Sequence, residues 1–268
     1  GAIPIPVDPN EYTFNIDENL IEKAITNRTK AVIVVNLYGQ IAELEPIKRI
    51  CDKYKILLLE DAAQSHGALY KGQSPSNFSD AAATSFYPGK NLGCMSDGGA
   101  VLTNRIEIAN SIKRLRNYGS EKKYEHSEIG FNSRLDEIQS AILSIKLDQL
   151  KTMNLQRKKI AQFYNSNLSN ENLILPFESD HIDHVWHLYV IRCKNRDYLQ
   201  KKLSEEGIQT IIHYPIPPYS QKCFEKMNFK TSKLTDKICS EILSLPLYPN
   251  MSESDCQYVV SKVNKYST

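Results

Sequence analysis

Apolar positions along the chain fall into two kinds of pattern: short continuous runs, and longer stretches spaced three and four residues apart. Lys30-Ala-Val-Ile-Val-Val-Asn36 is a continuous β-branched run and predicts a strand buried on both faces. Pro46 to Lys55 follows with Ile47, Ile50, Cys51 and Tyr54 on one side, the spacing of a helix. Ile56-Leu-Leu-Leu59 predicts a second buried strand. Strand, helix and strand in about 30 residues make a βαβ unit, which implies a parallel sheet.

Short strands are expected at Ala81–Phe86 and Gly99–Thr103, and a helix over Arg105–Arg116. The clearest helix is Arg134 to Leu150, where Ile138, Ala141, Ile142 and Ile145 recur at i, i+3, i+4 and i+7. A second helical stretch continues through Leu168. Pro176 and the polar Glu178–Asp183 region mark a switch between a large domain, residues 1–175, and a small one, residues 176–268. In the small domain, Leu188–Arg192 and Ile208–His213 read as strands. Arg196–Gly207 reads as a helix closed by glycine, followed by helices at Thr235–Leu243 and Glu253–Tyr266. The fold class is therefore α/β: a mostly parallel sheet flanked by helices, with a smaller C-terminal α+β domain. In such sheets ligands collect outside the carboxyl ends of the strands.

Composition narrows the partners more than the fold. A net charge of +2 gives no electrostatic reason to expect nucleic acid or an acidic membrane. No apolar stretch approaches the roughly 20 residues needed to cross a bilayer. The six cysteines are scattered with no C-x-x-C pair and read as reduced thiols, the usage of a cytoplasmic protein.

The chemistry sits at two strand ends. The run Ile56–Leu59 ends in an acidic pair that includes Asp61, and the small-apolar run Ala81–Thr84 leads to a single lysine, Lys90. An acid and a lysine so placed are what pyridoxal phosphate chemistry requires. Its aldehyde needs an amine to hold it as a Schiff base, and its pyridine nitrogen needs a carboxylate to stay protonated as an electron sink. Each residue also has a plainer reading: Lys90 as a solvated surface lysine, and Asp61 as the cap of the following turn.

The surrounding residues decide between these readings. Glu60-Asp-Ala-Ala-Gln-Ser-His-Gly-Ala68 and Thr84-Ser-Phe-Tyr-Pro-Gly-Lys-Asn-Leu92 are followed in order by four more segments: Arg116-Asn-Tyr-Gly-Ser120, Gly130-Phe-Asn-Ser-Arg-Leu-Asp-Glu-Ile-Gln139, His213-Tyr-Pro215 and Leu243-Ser-Leu-Pro246. Jointly they resemble the pyridoxal-phosphate-dependent nucleotide-sugar aminotransferases of DegT/StrS type, which have the fold type I (aspartate aminotransferase-like) architecture. The resemblance covers nearly the whole chain. Gly1-Ala-Ile-Pro-Ile-Pro-Val-Asp8 is similar to an internal stretch of that family. The expectation is thus a large domain without the family's N-terminal segment, whose helix N-terminus holds the cofactor phosphate.

The resemblance implies roles residue by residue. Lys90 is the Schiff-base lysine and proton shuttle, and Asp61 the partner of the pyridine nitrogen. Gln64 lies against the cofactor on its phenolic side, and the Ser85 hydroxyl takes the phosphate. Asn132 reaches the phosphate of a neighbouring subunit, which implies a homodimer with composite sites. Arg134, His213 and Tyr214 fall near the sugar or the donor carboxylate, where an arginine fits bidentately. Tyr219 stands where the family often has a histidine. The implied reaction carries an amino group from glutamate, through pyridoxamine phosphate, to a keto group of a dTDP- or UDP-linked deoxy sugar, in two half-reactions with ping-pong kinetics. Tyr87-Pro-Gly-Lys90 resembles the enzymes acting on 3-keto sugars, and the product would feed lipopolysaccharide or another surface polysaccharide.

Rival readings carry less. The family's sugar 3-dehydratases replace the lysine by histidine, so Lys90 argues against them. A catalytically silent dimerisation or regulatory module is the alternative from another class. His181, His184 and His187 have a spacing that could suggest a metal. Trp186 and Leu188–Val190 carry the last histidine toward a strand, however, which splays the three side chains, and no metal is expected. Gly89-Lys90 lacks the first glycine of a P-loop, since residue 84 is threonine, and no G-x-G-x-x-G occurs.

Overall fold

In the computed structural model, which describes residues 1–267, the N-terminal half is organised around a βαβ unit. Helix α1 (Glu18–Ala24) opens on Asp17, whose carboxylate accepts from the Asn19 N–H. Then come β1 (Ala31–Val35), α2 (Leu44–Tyr54) and β2 (Leu57–Asp61), with β1 and β2 parallel and Val35 opposite Asp61. Left-handed Lys55 ends α2 by returning its N–H to the carbonyls of Cys51 and Asp52. After the two-residue β3 (Leu69–Tyr70), β4 (Ala81–Ser85) lies parallel to β2, placing Ala83 opposite Asp61. Strand β5 (Gly99–Leu102) closes this sheet antiparallel, in the order β1-β2-β4-β5. The carboxyl ends of β2 and β4 are therefore neighbours, and the loops after them share one edge.

Helix α3 (Ile106–Leu115) and a hairpin of β6 (Ser120–Lys122) and β7 (Glu125–His126) lead to α4 (Glu137–Asn167). Strand β8 (Leu173–Ile174) joins a later sheet, while β9 (Ile182–Asp183) turns back to pair with β3. Strand β10 (Tyr189–Cys193) is followed by α5 (Arg196–Glu205), α6 (Lys233–Glu241), β11 (Ile242–Leu245) and α7 (Glu253–Tyr266). Antiparallel pairing in the order β11-β10-β8 makes the second sheet. Val32, Val34, Ile47, Leu58 and Val185 belong to one apolar cluster; Ile160, Tyr164, Trp186, Ile191, Leu243 and Val263 belong to another.

Three expectations are corrected. Strands β1 and β2 are buried on one face only: Val32, Val34 and Leu58 are inside, whereas Ile33 is 63% exposed and Val35 and Leu57 are also open. The β-branched run reported the strand but not its layers, because α1 and α2 cover a single side of it. Helix α4 is one continuous element that begins after Asp136, whose carboxylate accepts from the N–H groups of Ile138 and Gln139. Its most regular apolar face looks outward, with Ile138 69% and Ile145 66% exposed, while Leu143 and Leu150 pack inward. Finally, the strand expected at Ile208–His213 is reduced to a single bridge between Ile211 and Ser244. Its place beside β10 is taken by β11, which absorbs the last two residues of the helix expected at Thr235–Leu243. All four residues of β11 are buried, so ladder pairing plus burial outweighs one more helical turn.

Candidate active site

Asp61 is the last residue of β2, exposed at the sheet edge. Its Oδ1 accepts from the Ala63 N–H at 3.0 Å, so the plain turn-closing reading of this carboxylate also holds. Ser85 ends β4, half-buried, with its Oγ accepting from the Tyr87 N–H at 3.2 Å. A tight turn then returns the Lys90 N–H to the Tyr87 carbonyl at 2.9 Å and leaves Lys90 half-buried. Burial holds its amine below the ordinary lysine value, and the Asp61 carboxylate opposes that by favouring the charged form.

The Lys90 charge acts on three imidazoles. Burial first, and the Lys90 cation second, push His66 down to about 4 and His187 down to about 3. The same two causes, in the same order, lower His213. The Nε2 atom of His66 lies 2.8 Å from the Thr84 hydroxyl on β4, and Nδ1 of His213 lies 2.8 Å from the Ser244 hydroxyl on β11. These three side chains are neutral at physiological pH and add no positive charge around the amine.

Gln64 is buried in the turn after β2. Its Oε1 accepts from the Tyr38 N–H at 2.6 Å, and its Nε2 donates to the Tyr214 hydroxyl at 3.3 Å. The Tyr38 hydroxyl in turn donates to the carbonyl of His213. Tyr38 reaches both partners from a left-handed conformation, φ 58°, beside Gly39 at φ 103°. At Gly39 an added Cβ would come within 2.8 Å of the His187 nitrogen, so this close approach requires glycine.

The structure thus brings Lys90, Asp61, Gln64, His213 and Tyr214 into one connected neighbourhood. Asn132 and Arg134 stand apart from it: both are exposed, Arg134 Nη2 donates to Asn132 Oδ1 at 3.4 Å, and the guanidinium lies 5.6 Å from the centre of the Tyr118 ring. The histidine run splays as its sequence context implies. His181 is at the surface, 3.0 Å from the Glu43 carboxylate. His184 is buried and stacked on Trp186 at 3.9 Å, and only His187 joins the lysine. Tyr219 braces α6, donating to Asp236 at 2.6 Å.

An amine of lowered basicity, a carboxylate on the adjacent strand end, a fixed amide and a strand-end hydroxyl suit a pyridine aldehyde bearing a phosphate. The donor set therefore fits pyridoxal phosphate. Residues 1–264 match the DegT/DnrJ/EryC1/StrS aminotransferase family. The chain belongs to that family. This aminotransferase is 49% identical, over 99% of its length and 73% of the relative's, to dTDP-3-amino-3,6-dideoxy-α-D-galactopyranose transaminase of Aneurinibacillus thermoaerophilus. Its fold is that of the S. venezuelae protein DesV, solved in complex with a ketimine intermediate. The TM-score is 0.96 at 39% identity, covering 100% of this chain and 73% of that one. A Bacillus subtilis protein, NtdA, solved with its cofactor PMP bound, matches with a TM-score of 0.91 at 32% identity, covering 98% of this chain and 62% of that one.

Tyr38 lies outside the motifs, and the motifs that contain His66 and Asn91 assign neither a role. A Tyr-Gly pair at the end of a strand was the signal available for Tyr38. For Asn91 it was a polar residue directly after the lysine and before the apolar Leu92, which the structure buries.

Proposed function

We propose that this aminotransferase moves an amino group from glutamate to the 3-keto position of a nucleotide-linked deoxy sugar, with pyridoxal phosphate held at Lys90. The observation that carries this is the half-buried Lys90 amine, lowered by burial and coupled to Asp61 at the neighbouring strand end. When bound, the cofactor supplies an aldehyde for the amine and an electron-withdrawing ring.

This chain's residues do the rest. Nζ of Lys90 would hold the cofactor and, when free, would hold and move a proton in each half-reaction. Asp61 would partner the cofactor's pyridine nitrogen. Gln64, held by the Tyr38 N–H and the Tyr214 hydroxyl, would face its phenolic side, and the Ser85 hydroxyl would hold its phosphate. His213 and Tyr214 would bound the substrate space from the segment bridged to β11, and Arg134 would take a carboxylate or phosphate group. Asn132 serves the phosphate of a second copy. Its isolation from Lys90, and the exposed Phe131, Ile138 and Ile145 beside it, support a homodimer with composite sites. The 3-keto assignment rests on Tyr87-Pro-Gly-Lys90 and on the relative whose name records a 3-amino sugar.

We place the enzyme in the cytoplasm, where its product would enter a surface polysaccharide such as lipopolysaccharide. Among the described residues no helix is long and apolar enough to cross a membrane. The large cofactor domain is assigned to residues 1–175 and the small one to 176–268.

The test is to incubate the chain with pyridoxal phosphate, reduce with borohydride and locate the pyridoxyl group by peptide mass spectrometry. A label confined to the Lys90 peptide is expected; label on any other lysine would overturn the assignment. Turnover with glutamate and matched 3-keto and 4-keto nucleotide sugars then decides the regiochemistry.

A further inference from the structure

Thr84 stands in β4 just before Ser85, and its side chain leaves the strand on the opposite face, because successive side chains alternate. Its hydroxyl donates to the Ala62 carbonyl at 3.2 Å, and the same oxygen lies 2.8 Å from Nε2 of His66. Both partners are buried, and both belong to the turn that starts from Asp61 and holds Gln64. The Ala62 N–H meanwhile donates to the Ala83 carbonyl at 2.7 Å. Strand β4 thus grips Ala62, the residue directly after Asp61, by its N–H and by its carbonyl.

The turn's other bonds leave that grip to Thr84. Asp61 Oδ1 accepts from the Ala63 N–H at 3.0 Å. The Ser65 N–H and hydroxyl return to the Ala62 carbonyl at 3.2 and 3.4 Å, which closes the turn on itself. Asn154 of α4 donates to the His66 carbonyl at 2.9 Å and fixes the far end of the turn to a helix. Among the described residues, Thr84 is the side chain through which β4 reaches this turn, and it does so at two points, Ala62 and His66.

We propose that Thr84 is a positioning residue for Asp61: its hydroxyl clamps the turn after β2 to β4, which fixes the Asp61 carboxylate relative to the strand end that carries Ser85 and leads to Lys90. The role rests on Asp61, Ser85 and Lys90 being the groups that hold pyridoxal phosphate. Asp61 is exposed, and its side chain bonds only its own turn, so its aim is set by where that turn sits. Backbone pairing of Asp61 with Ala83 survives without the hydroxyl. The turn beyond is then held to β4 by the Ala62 N–H alone, and a carboxylate that swings with it loses alignment toward a ring nitrogen, on which hydrogen-bond strength depends steeply.

Thr84→Val keeps the branched shape and removes the hydroxyl, whereas Thr84→Ser keeps the hydroxyl. In the full chain without cofactor, hydrogen exchange of the peptide from Asp61 to Ala68, read by mass spectrometry, should quicken about fivefold in the Val variant and stay near the parent rate in the Ser variant. The Kd for pyridoxal phosphate, from absorbance titration, should rise about tenfold with Val and recover with Ser. In an Asp61→Asn background the Val substitution should change that Kd by less than about twofold, because the group it positions is gone. Pyridoxal, which lacks the phosphate, should lose affinity by the same factor as the phosphate ester. Unchanged exchange or Kd in a folded Val variant overturns the proposal, as does the full loss persisting in the Asp61→Asn background. A loss confined to the phosphate ester overturns it too, since the effect would then belong to Ser85. Should the Val variant not fold, Thr84→Ala removes the same hydroxyl and decides by the same readings. Borohydride label on another lysine would instead sink the functional reading, and the exchange result, taken without cofactor, would still decide the clamp.

Discussion

The Tyr38 N–H and the Gln64 side-chain carbonyl meet at 2.6 Å, while the hydroxyl of the same tyrosine bonds the His213 carbonyl. One residue thus fixes a group assigned to the cofactor and a segment assigned to the substrate. Tyr38→Phe keeps the first contact, which is made by the backbone, and loses only the second. The His213 carbonyl then loses its hydroxyl partner, at a cost of about 1–3 kcal/mol. The expected result is a KM for the sugar raised roughly tenfold, with kcat and pyridoxal phosphate affinity within about twofold of the parent. A fall in cofactor affinity of the same size, measured by absorbance titration, would show that the two sides of the site are not separable.

Removing the Asp61 carboxylate has a signed consequence for the lysine. The carboxylate raises the Lys90 value against burial, so Asp61→Asn should shift the midpoint of Lys90 acylation further down. Asp61 is exposed, and its one turn contact is with the Ala63 N–H, so stability in urea should stay within about 0.5 kcal/mol of the parent. Transamination should fall by at least ~100-fold if the carboxylate stabilises charge on the pyridine ring. Retention of the parent rate would count against that role.

Buried neutral histidines make the fold acid-sensitive. Burial pushes His184 down to about 3, His187 to about 3 and His66 to about 4, whereas unfolded histidine takes up a proton near pH 6.5. Between those limits the unfolded chain binds more protons, so stability is full above pH 6.5 and declines as pH falls toward 4. Each site contributes roughly 2 kcal/mol of loss between pH 6.5 and 5. Urea midpoints measured at pH 7 and pH 5 should differ clearly, and His184→Asn or His187→Gln should reduce the difference. Equal midpoints at the two pH values would refute the account.

The outward apolar face of α4 predicts an assembly. Ile138 and Ile145 are exposed on the same helix that follows Asn132 and Arg134. A charge at the centre of that face, Ile145→Asp, should convert a dimer to a monomer in sedimentation while leaving the melting curve of the monomer cooperative. It should also weaken pyridoxal phosphate binding if Asn132 serves the second copy. A dimer unaffected by the substitution would move the interface elsewhere.

The placement of Asp61 and Ser85 was legible because both sit at strand ends. The apolar runs located β2 and β4, and parallel pairing put Asp61 and the turn to Lys90 on one edge. Layer order was not legible. The runs at Val32–Val35 and Ile138–Ile145 mark apolar surface, but nothing in their period says which side a neighbour will cover. The exchange of helix for strand at Ile242 failed for a related reason. A four-residue buried run directly after a helix has no periodicity of its own. Tyr38 was hidden differently: its role comes from a left-handed backbone, which leaves no trace in hydrophobic spacing.

Helix α4 has 31 residues, about 47 Å of continuous rod, and it serves both ends of the molecule. Leu143 and Leu150 pack with Leu92 and Cys94 beside the lysine turn, while Ile160, Ala161 and Tyr164 sit in the cluster around β10. Neither cluster can come apart without stripping one half of that rod of its partners, and a half-supported helix frays into the other half. The two ends should therefore melt together in a single transition, with the helix acting as the mechanical link that makes folding of the lysine turn conditional on folding of the C-terminal sheet.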